Sequence, residues 1–593
     1  MKKEAVNSRP ETVLRGVGGS PGVAVGPVYR IHSEEAPLAD HLLSPEETAG
    51  EIQRFKVAVK DTRRQIVVIQ KNVRRAIGQY DANIFDMHMM ILEDPAFFEE
   101  TIRRIELERL NAGAAVRAVT NRYSEVLSAM EDEYLRERVS DVRDVVRRVL
   151  RNLAGETLHA LDGLKSKSIV VAQDLSPSET AALRRGLVMG FVTDLGSATS
   201  HTAIMAKALG IPAVVGLGNV SAQVANDDLI LIDGTEGVVI LNPSEASLKK
   251  YNKLARHRKF IQSGLKQLRD APAETKDGHR VVLSANLELV EEVADVKKFG
   301  AEGVGLFRSE YLYIARQDLP VESEQLAAYQ KVVSLLAPKP VIIRTVDLGG
   351  DKFASSVKMS PEINPFLGFR AIRFCLAQPA IFKTQLRAIL RASAHGKVRI
   401  MYPMISNVNE VIRANVLLEE CKTELRGEGL LFDEKIEVGV MIEIPSAALT
   451  ADIIAKHVSF FSLGTNDLVQ YTLAVDRVND RVSYLYEPTH PAVLRLMKRT
   501  IDAGHDHGIW VGICGQMAGD PLMTLLLLGL GIDELSMVAS AVPAAKDMIR
   551  SVVLSQAQEL ARMALAAETA AEVLQLCYDL TAQVAPEILE LTK

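Results

Sequence analysis

Aromatic side chains make up only 5% of the 593 residues, and there is a single tryptophan. Cysteine is scarce too. Cys375, Cys421, Cys514 and Cys577 lie far apart, with no CxxC spacing. That excludes a disulfide scaffold and a cysteine-bound structural zinc, and it suits a reducing cytoplasm. Long apolar runs are missing. Stretches such as Leu525–Leu530 are far shorter than the ~20 residues that cross a bilayer, so no membrane insertion is expected. The opening MKKEAVNSRPETV lacks the apolar segment of a signal peptide. Basic tracts are absent as well. The formal net charge is −6 with the signs mixed throughout, and no nucleic acid is expected as a partner.

What remains is the balance of a folded globular protein, 48% hydrophobic and 24% charged. The length is too great for one core and suggests roughly four domains, fewer if one is a large barrel. Residues 16–30, GVGGSPGVAVGPVYR, read as a strand entered through a glycine turn. From Ser44 to Leu153 the pattern turns helical. Ser44 is placed to cap, Pro45 stands at the first helical position and Glu47 follows three residues after the cap. The run around His88, with Met87, Met89 and Met90, reads first as helix packing and second as a groove for a partner. Strand patterns return with SIVVAQ, LVMGFVTD, IPAVVG and LILIDGTEGVVIL.

The expected architecture is a multidomain α/β protein. An α/β domain covers 1–32 and 150–245, with an all-helical insert at 33–149. A polar helical linker covers 246–271. Residues 272–593 hold eight short apolar strand patterns alternating with helices: VVLSAN, GVGLFR, VIIRT, VRIMYPMI, VGVMIE, FFSLG, WVGICG and IDELSM. That count predicts a (β/α)8 barrel.

Chemistry-bearing residues recur at the ends of these strands. Glu443 ends VGVMIE and Asp467 follows FFSLG. Two carboxylates in one barrel mouth repel unless a cation joins them, and a hard oxygen-ligated ion, Mg2+ or Mn2+, suits them. Arg308, Arg344 and Arg477 stand near strand ends, with Arg370 and Arg373 between. Guanidinium forks match phosphate and carboxylate oxygens, so the substrate is expected to be small and highly anionic. Asn466 and Lys352 can add donors at the mouth. Cys514, between glycines at a strand end, can serve as nucleophile or proton donor. Glu437, Asp347 and His395 are less telling.

In FVTDLGSATSHTAIMAKALGIPAVVG, residues 191–216, His201 stands where a glycine-rich turn becomes a helix, with Thr199 and Ser200 able to cap. A helix start offers unpaired N–H groups and a positive field. These favour a neutral nucleophilic imidazole and would stabilise an attached phosphoryl group.

Several long motifs in order carry a family resemblance across nearly the whole chain: TSHTAIMA around His201, DVRDV at 141–145, DLSPSET, GVGLFRSEYLY, IIRTVDLGGDK, NPFLGFRAIR, GVMIEIPSA, SLGTNDLVQYTLAVDR and the cysteine turn at 514–520. The chain resembles enzyme I of the bacterial sugar phosphotransferase system, among the phosphoenolpyruvate-utilising enzymes. The resemblance implies that His201 accepts phosphate from phosphoenolpyruvate. It implies that Glu443 and Asp467 hold Mg2+, that Arg308, Arg344, Asn466, Asp467 and Arg477 serve the substrate, and that Cys514 protonates the enolate. It also implies a helical insert that docks the phosphocarrier protein HPr, and a homodimer made by the barrel. No Walker sequence appears, which sets aside an ATP-linked relative. A regulatory relay of nitrogen or carbon metabolism using the same chemistry is the alternative. Relatives of that kind typically carry an extra N-terminal domain, and none is expected here. Two departures from the family pattern stand out: Ser197–Ala198 where Gly–Arg is common, and Gln516 where glutamate is common.

Overall fold

The computed structural model describes residues 10–31, 40–76, 84–128, 133–155, 164, 166–175, 187–196, 202–203, 206–207, 210–313, 318–349, 364–477, 479 and 481–592. The chain forms two compact units, Met1–His257 and Arg258–Lys593.

The first unit contains an eight-stranded sheet. Its strands are β1 (Thr12–Arg15), β2 (Val17–Ser20), β3 (Val23–Arg30), β4 (Ser168–Ala172), β5 (Val188–Thr193), β6 (Ala213–Val215), β7 (Leu229–Asp233) and β8 (Val238–Leu241). They lie side by side in the order β1-β8-β7-β3-β4-β5-β6-β2. The single strand expected over 16–30 is therefore two, broken at Pro21–Gly22, and β1 precedes them. Proline cannot donate to a ladder and Gly22 has φ +128, so the chain must turn there. The hairpin β7–β8 is fixed by Asp233, whose Oδ1 accepts the N–H groups of Thr235 and Glu236 at 3.0 and 3.3 Å.

β3 and β4 are parallel neighbours, yet 137 residues separate Arg30 from Ser168 in the sequence. The chain leaves the sheet after β3, builds helices and returns beside the strand it left. Those helices are α1 (Thr48–Ala76), α2 (Ile84–Glu93), α3 (Pro95–Leu107), α4 (Ala112–Ser128) and α5 (Glu133–Leu153). α1 begins four residues after Ser44. Residues 44–47 close first as a tight turn: the Ser44 N–H donates to Glu47 Oε2 at 2.8 Å, and the Glu47 N–H donates to Ser44 O at 3.1 Å. α5 buries Val142, Val145, Val146, Val149, Leu150 and Leu153, an i, i+3, i+4 stripe. They pack on Phe55, Ile66, Leu92 and Phe97 in a core of the helices' own. His88 is buried, 3.8 Å from Asp144, and Met90 is exposed. Helix α6 (Glu245–Gln267) follows the sheet, in the polar stretch expected to be helical.

The second unit is the predicted barrel. β9 (Val282–Leu287), β10 (Val304–Arg308), β11 (Val341–Arg344), β12 (Val398–Tyr402), β13 (Glu437–Ile442), β14 (Phe460–Leu463), β15 (Trp510–Ile513) and β16 (Glu534–Met537) close in parallel. Each coincides with one of the eight sequence patterns. Outward strand residues such as Ile343, Ile400 and Leu463 meet the helices in one continuous core. No helix among the described residues is long and apolar enough to cross a membrane.

Phe55 is fully buried at the centre of the helical core. Phe55→Ala is expected to cost about 3–5 kcal/mol of local stability. Amide hydrogen exchange checks this: protection should fall across α1 and α5 and stay unchanged in the barrel strands.

Candidate active site

A parallel barrel points every strand's C-terminal end into one mouth, and the loops beyond carry the chemistry. Arg344, the last residue of β11, is nearly buried there. Its Nη2 donates to Glu310 Oε1 at 2.8 Å, and its Nη1 lies 3.0 Å from Asp347 Oδ2. Asp347 Oδ1 in turn accepts from Arg370 Nε and Nη2 at 3.1 and 2.7 Å. The Asp347 N–H donates to Glu310 Oε1 at 3.0 Å, which ties the two carboxylates to one backbone. Burial pushes the Glu310 carboxyl up, and Arg344 only partly offsets it. Burial also pushes Asp347 up, but there Arg344 and Arg370 together win and hold it below the usual range. Arg308, ending β10, is more open and pairs with Glu288.

On the neighbouring strands Glu443 sits one residue past β13 and is buried. Its Oε1 accepts the Met404 N–H at 2.6 Å. Burial first, then the nearby charges of Asp467 and Asp347, push its carboxyl well above the ordinary value. Asp467 lies in the first turn of the helix Thr465–Leu473. Its Oδ1 is buried with no hydrogen-bond partner, while Arg477 Nη2 stands 3.5 Å away. A buried carboxyl raised by the charge of its neighbour, and that neighbour with an orphaned oxygen, form the donor set a hard divalent cation takes. Among the described residues no third His, Cys, Asp or Glu joins them, so water or ligand oxygens would complete the shell. Asn466 Oδ1 accepts the Gln516 N–H at 2.9 Å, leaving the amide hydrogens as donors for a ligand.

Cys514 follows β15 and is 4% exposed. Burial pushes its thiol up to about 11, against the Ser462 hydroxyl and Arg344, which favour the thiolate. It keeps its proton at neutral pH, the state of a donor rather than a nucleophile. Asn286 Nδ2 donates to Cys514 O at 3.0 Å and fixes the turn. Gly515 is needed next to it, because a Cβ there would fall 1.9 Å from Thr465 Oγ1.

His201, with Ser197, Ala198, Thr199 and Ser200, lies outside the described residues, as does Lys352. Around the histidine, Thr202 and Ala203 are buried, and Thr202 Oγ1 donates to Leu175 O at 2.9 Å. Gly196 has φ +116, the conformation expected of that turn.

Arg344, Glu443, Asp467, Arg308 and Cys514 thus come within electrostatic reach of one another, joined by Asn466 and Arg477 through Gln516 and Asp467. Arg373 is spent on the carbonyls of Leu367 and Gly368 at 2.8 and 3.0 Å. Glu437 starts its strand, at the rear of the barrel, paired with Arg399 at 2.5 Å. Asp347, weighed lightly from sequence, holds two arginines. Glu310 was not singled out, although it stands two residues beyond the strand-end Arg308.

Three family models match: the PEP-utilising enzyme N-terminal domain at 15–138, the mobile domain at 164–237 and the PEP-binding domain at 262–554. The phosphoenolpyruvate-protein phosphotransferase of Listeria monocytogenes is 43% identical over 570 residues, 96% of this chain and 99% of that protein. The Staphylococcus carnosus protein of the same name is 42% identical over 568 residues, 96% and 99% of the two chains. That of Haemophilus influenzae is 43% identical over 564 residues, 95% and 98%. With relatives this similar along almost its whole length, and with all three family domains matched, the chain belongs to the phosphoenolpyruvate-protein phosphotransferase family.

Proposed function

We propose that the chain moves the phosphoryl group of phosphoenolpyruvate onto its own His201 and then onto a histidine of the phosphocarrier protein HPr, releasing pyruvate. The observation that carries this reading is the barrel mouth: a locked Arg344, a repelling Glu443–Asp467 pair and a protonated Cys514.

Phosphoenolpyruvate presents a carboxylate and a phosphate on a small carbon frame. Arg308, Arg344, Arg477 and the Asn466 amide hydrogens hold these oxygens. Arg344 is already gripped by Glu310 and Asp347, so it needs no reorganisation when the substrate arrives. The His201 imidazole attacks phosphorus in line, and the bond from phosphorus to the enol oxygen breaks. Cys514 gives its proton to C3 of the enolate, and pyruvate leaves. Mg2+ or Mn2+ held by Glu443 and Asp467 would supply charge stabilisation on the phosphoryl and enolate oxygens. The histidine lobe, 1–32 with 150–245, then meets the carrier at the helical insert, 33–149. The stretch 246–271 serves as linker, and the barrel, 272–593, makes the homodimer. The setting is the cytoplasm, as first step of sugar phosphotransfer.

Incubation with labelled phosphoenolpyruvate and Mg2+ is expected to give an acid-labile, base-stable label that His201→Ala abolishes. A label persisting in that variant would overturn the acceptor assignment. Asp467→Asn is expected to weaken Mn2+ binding at least tenfold, read by the paramagnetic signal of free Mn2+ in a titration. Alkylation of Cys514 should be slow at pH 8. It should accelerate about tenfold per pH unit while the pH stays below the thiol's value near 11, because the reactive thiolate grows as its proton leaves. Mass spectrometry of the labelled peptide follows that rate.

A further inference from the structure

Arg308 and Arg344 are register partners across β10 and β11, so the two arginines start level with one another. The pairing that brings them level is irregular. β10 shifts register against β11 between Val304 and Phe307, and against β9 between Val304 and Leu306. A slip of one residue would turn Arg308 to the other face of the sheet. Both ladders of this short strand are broken, so something besides its backbone bonds must set the level of its last residue.

Behind the two strand ends lies a run of five polar side chains, Tyr313, Gln325, Tyr329, Gln385 and Ser309, each at most 1% exposed. Ser309 Oγ donates to Arg344 O at 2.8 Å, which ties the residue after Arg308 to Arg344 itself. Gln385, on the helix Pro379–Ala392, holds both strands at once. Its Nε2 donates to Ser309 Oγ at 3.0 Å, and its Oε1 accepts the Val346 N–H at 2.9 Å. The second amide hydrogen goes to Tyr329 Oη at 3.1 Å. The Tyr329 and Tyr313 hydroxyls donate to Gln325 Oε1 at 3.2 and 3.1 Å, and Gln325 Nε2 donates to Pro320 O at 3.1 Å. The Val346 N–H can only donate and the Arg344 carbonyl can only accept. The run of donors therefore has one direction, and a flipped Gln385 amide would set its hydrogens against the Val346 N–H. A buried polar run is costly unless its members are paired, and a paired one is rigid.

We propose that Gln385 is a positioning residue for phosphoenolpyruvate: by holding Ser309 and Val346 together it sets the level of Arg308 against Arg344, and so the spacing of two guanidinium groups that share one substrate. The inference rests on the substrate role of these arginines given above. Gln385 acts through the strand ends and touches no substrate. Arg344 has a lock of its own in Glu310 and Asp347. Arg308 has a looser one, since its side chain is 39% exposed and its partner Glu288 is more open still. The place of Arg308 therefore depends on its backbone, and the next residue of that backbone is what Gln385 grips through the Ser309 hydroxyl.

Carbon exchange between labelled pyruvate and phosphoenolpyruvate needs no carrier protein, and it gives a KM for phosphoenolpyruvate and a maximal rate separately. Gln385→Met keeps the length of the side chain and loses its polar atoms. Ser309→Ala removes only the hydroxyl and serves if the first variant does not fold. Each is expected to raise KM about tenfold or more, with the maximal rate within about threefold of the native chain. Phe382→Leu is the control. Phe382 is fully buried on the same helix and packs edge-on against Tyr402. That variant is expected to lose stability in urea while its KM stays within about twofold. A merely structural role lowers the folded fraction, which moves the maximal rate and leaves KM alone. An unchanged KM in either folded variant, or an equal rise in Phe382→Leu, overturns the proposal. No exchange in the native chain, or an unchanged KM in Arg308→Ala, would instead overturn the reading on which it rests.

Discussion

Arg344 brings a full positive charge to the barrel mouth on a side chain only 11% exposed, and its two carboxylates make that tolerable. Glu310 and Asp347 occupy its two Nη groups, and Asp347 passes its other oxygen to Arg370. Breaking such a buried set by removing one partner costs about 3–5 kcal/mol, because the charge left behind has no solvent to turn to. The same lock fixes the direction of the guanidinium. On the proposed reading, a substrate with two anionic groups meets donors already aimed, an ordering completed during folding.

That balance also explains the other half of the mouth. The positive charges of Arg344 and Arg370 are largely used up by Glu310 and Asp347. Little remains for Glu443, whose carboxyl is driven up by burial and by its acidic neighbours. On the proposed reading, a site left short of positive charge in this way takes a cation from outside. Cys514 answers to the same environment with the opposite outcome: burial that makes a carboxylate uncomfortable keeps a thiol protonated. On the proposed reading, one buried site prepares a cation site and a proton donor together.

Behind the mouth, the barrel core is less uniform than a filled hydrophobic plug. Its apolar half, from Leu306 to Met441, does the packing. The seam of Ser284, Asn286, Glu534 and Ser536 gives the cysteine turn its anchor, since Asn286 binds the Cys514 carbonyl and is bound in turn by Ser536.

The sequence by itself determined the eight barrel strands. Each is a short apolar run bounded by turn residues, and local pattern is enough to mark it. It also marked Arg308, Arg344, Glu443, Asp467 and Cys514, because a polar residue ending an apolar strand needs a reason. The expected single strand over 16–30 became two, since the alternation of small residues continues through Pro21–Gly22 while backbone pairing cannot. Only the tertiary structure decided what each polar residue does. Arg373 and Arg370 sit three apart in one motif, yet one closes a turn and the other grips Asp347. Glu437 and Glu443 flank the same strand, yet one faces the rear and the other the mouth. Glu310 and Glu534 look like ordinary surface carboxylates in the sequence. Their burial, and the charges set against them, come from strands and helices distant along the chain, and no local pattern records which groups the closure of a barrel will bring face to face.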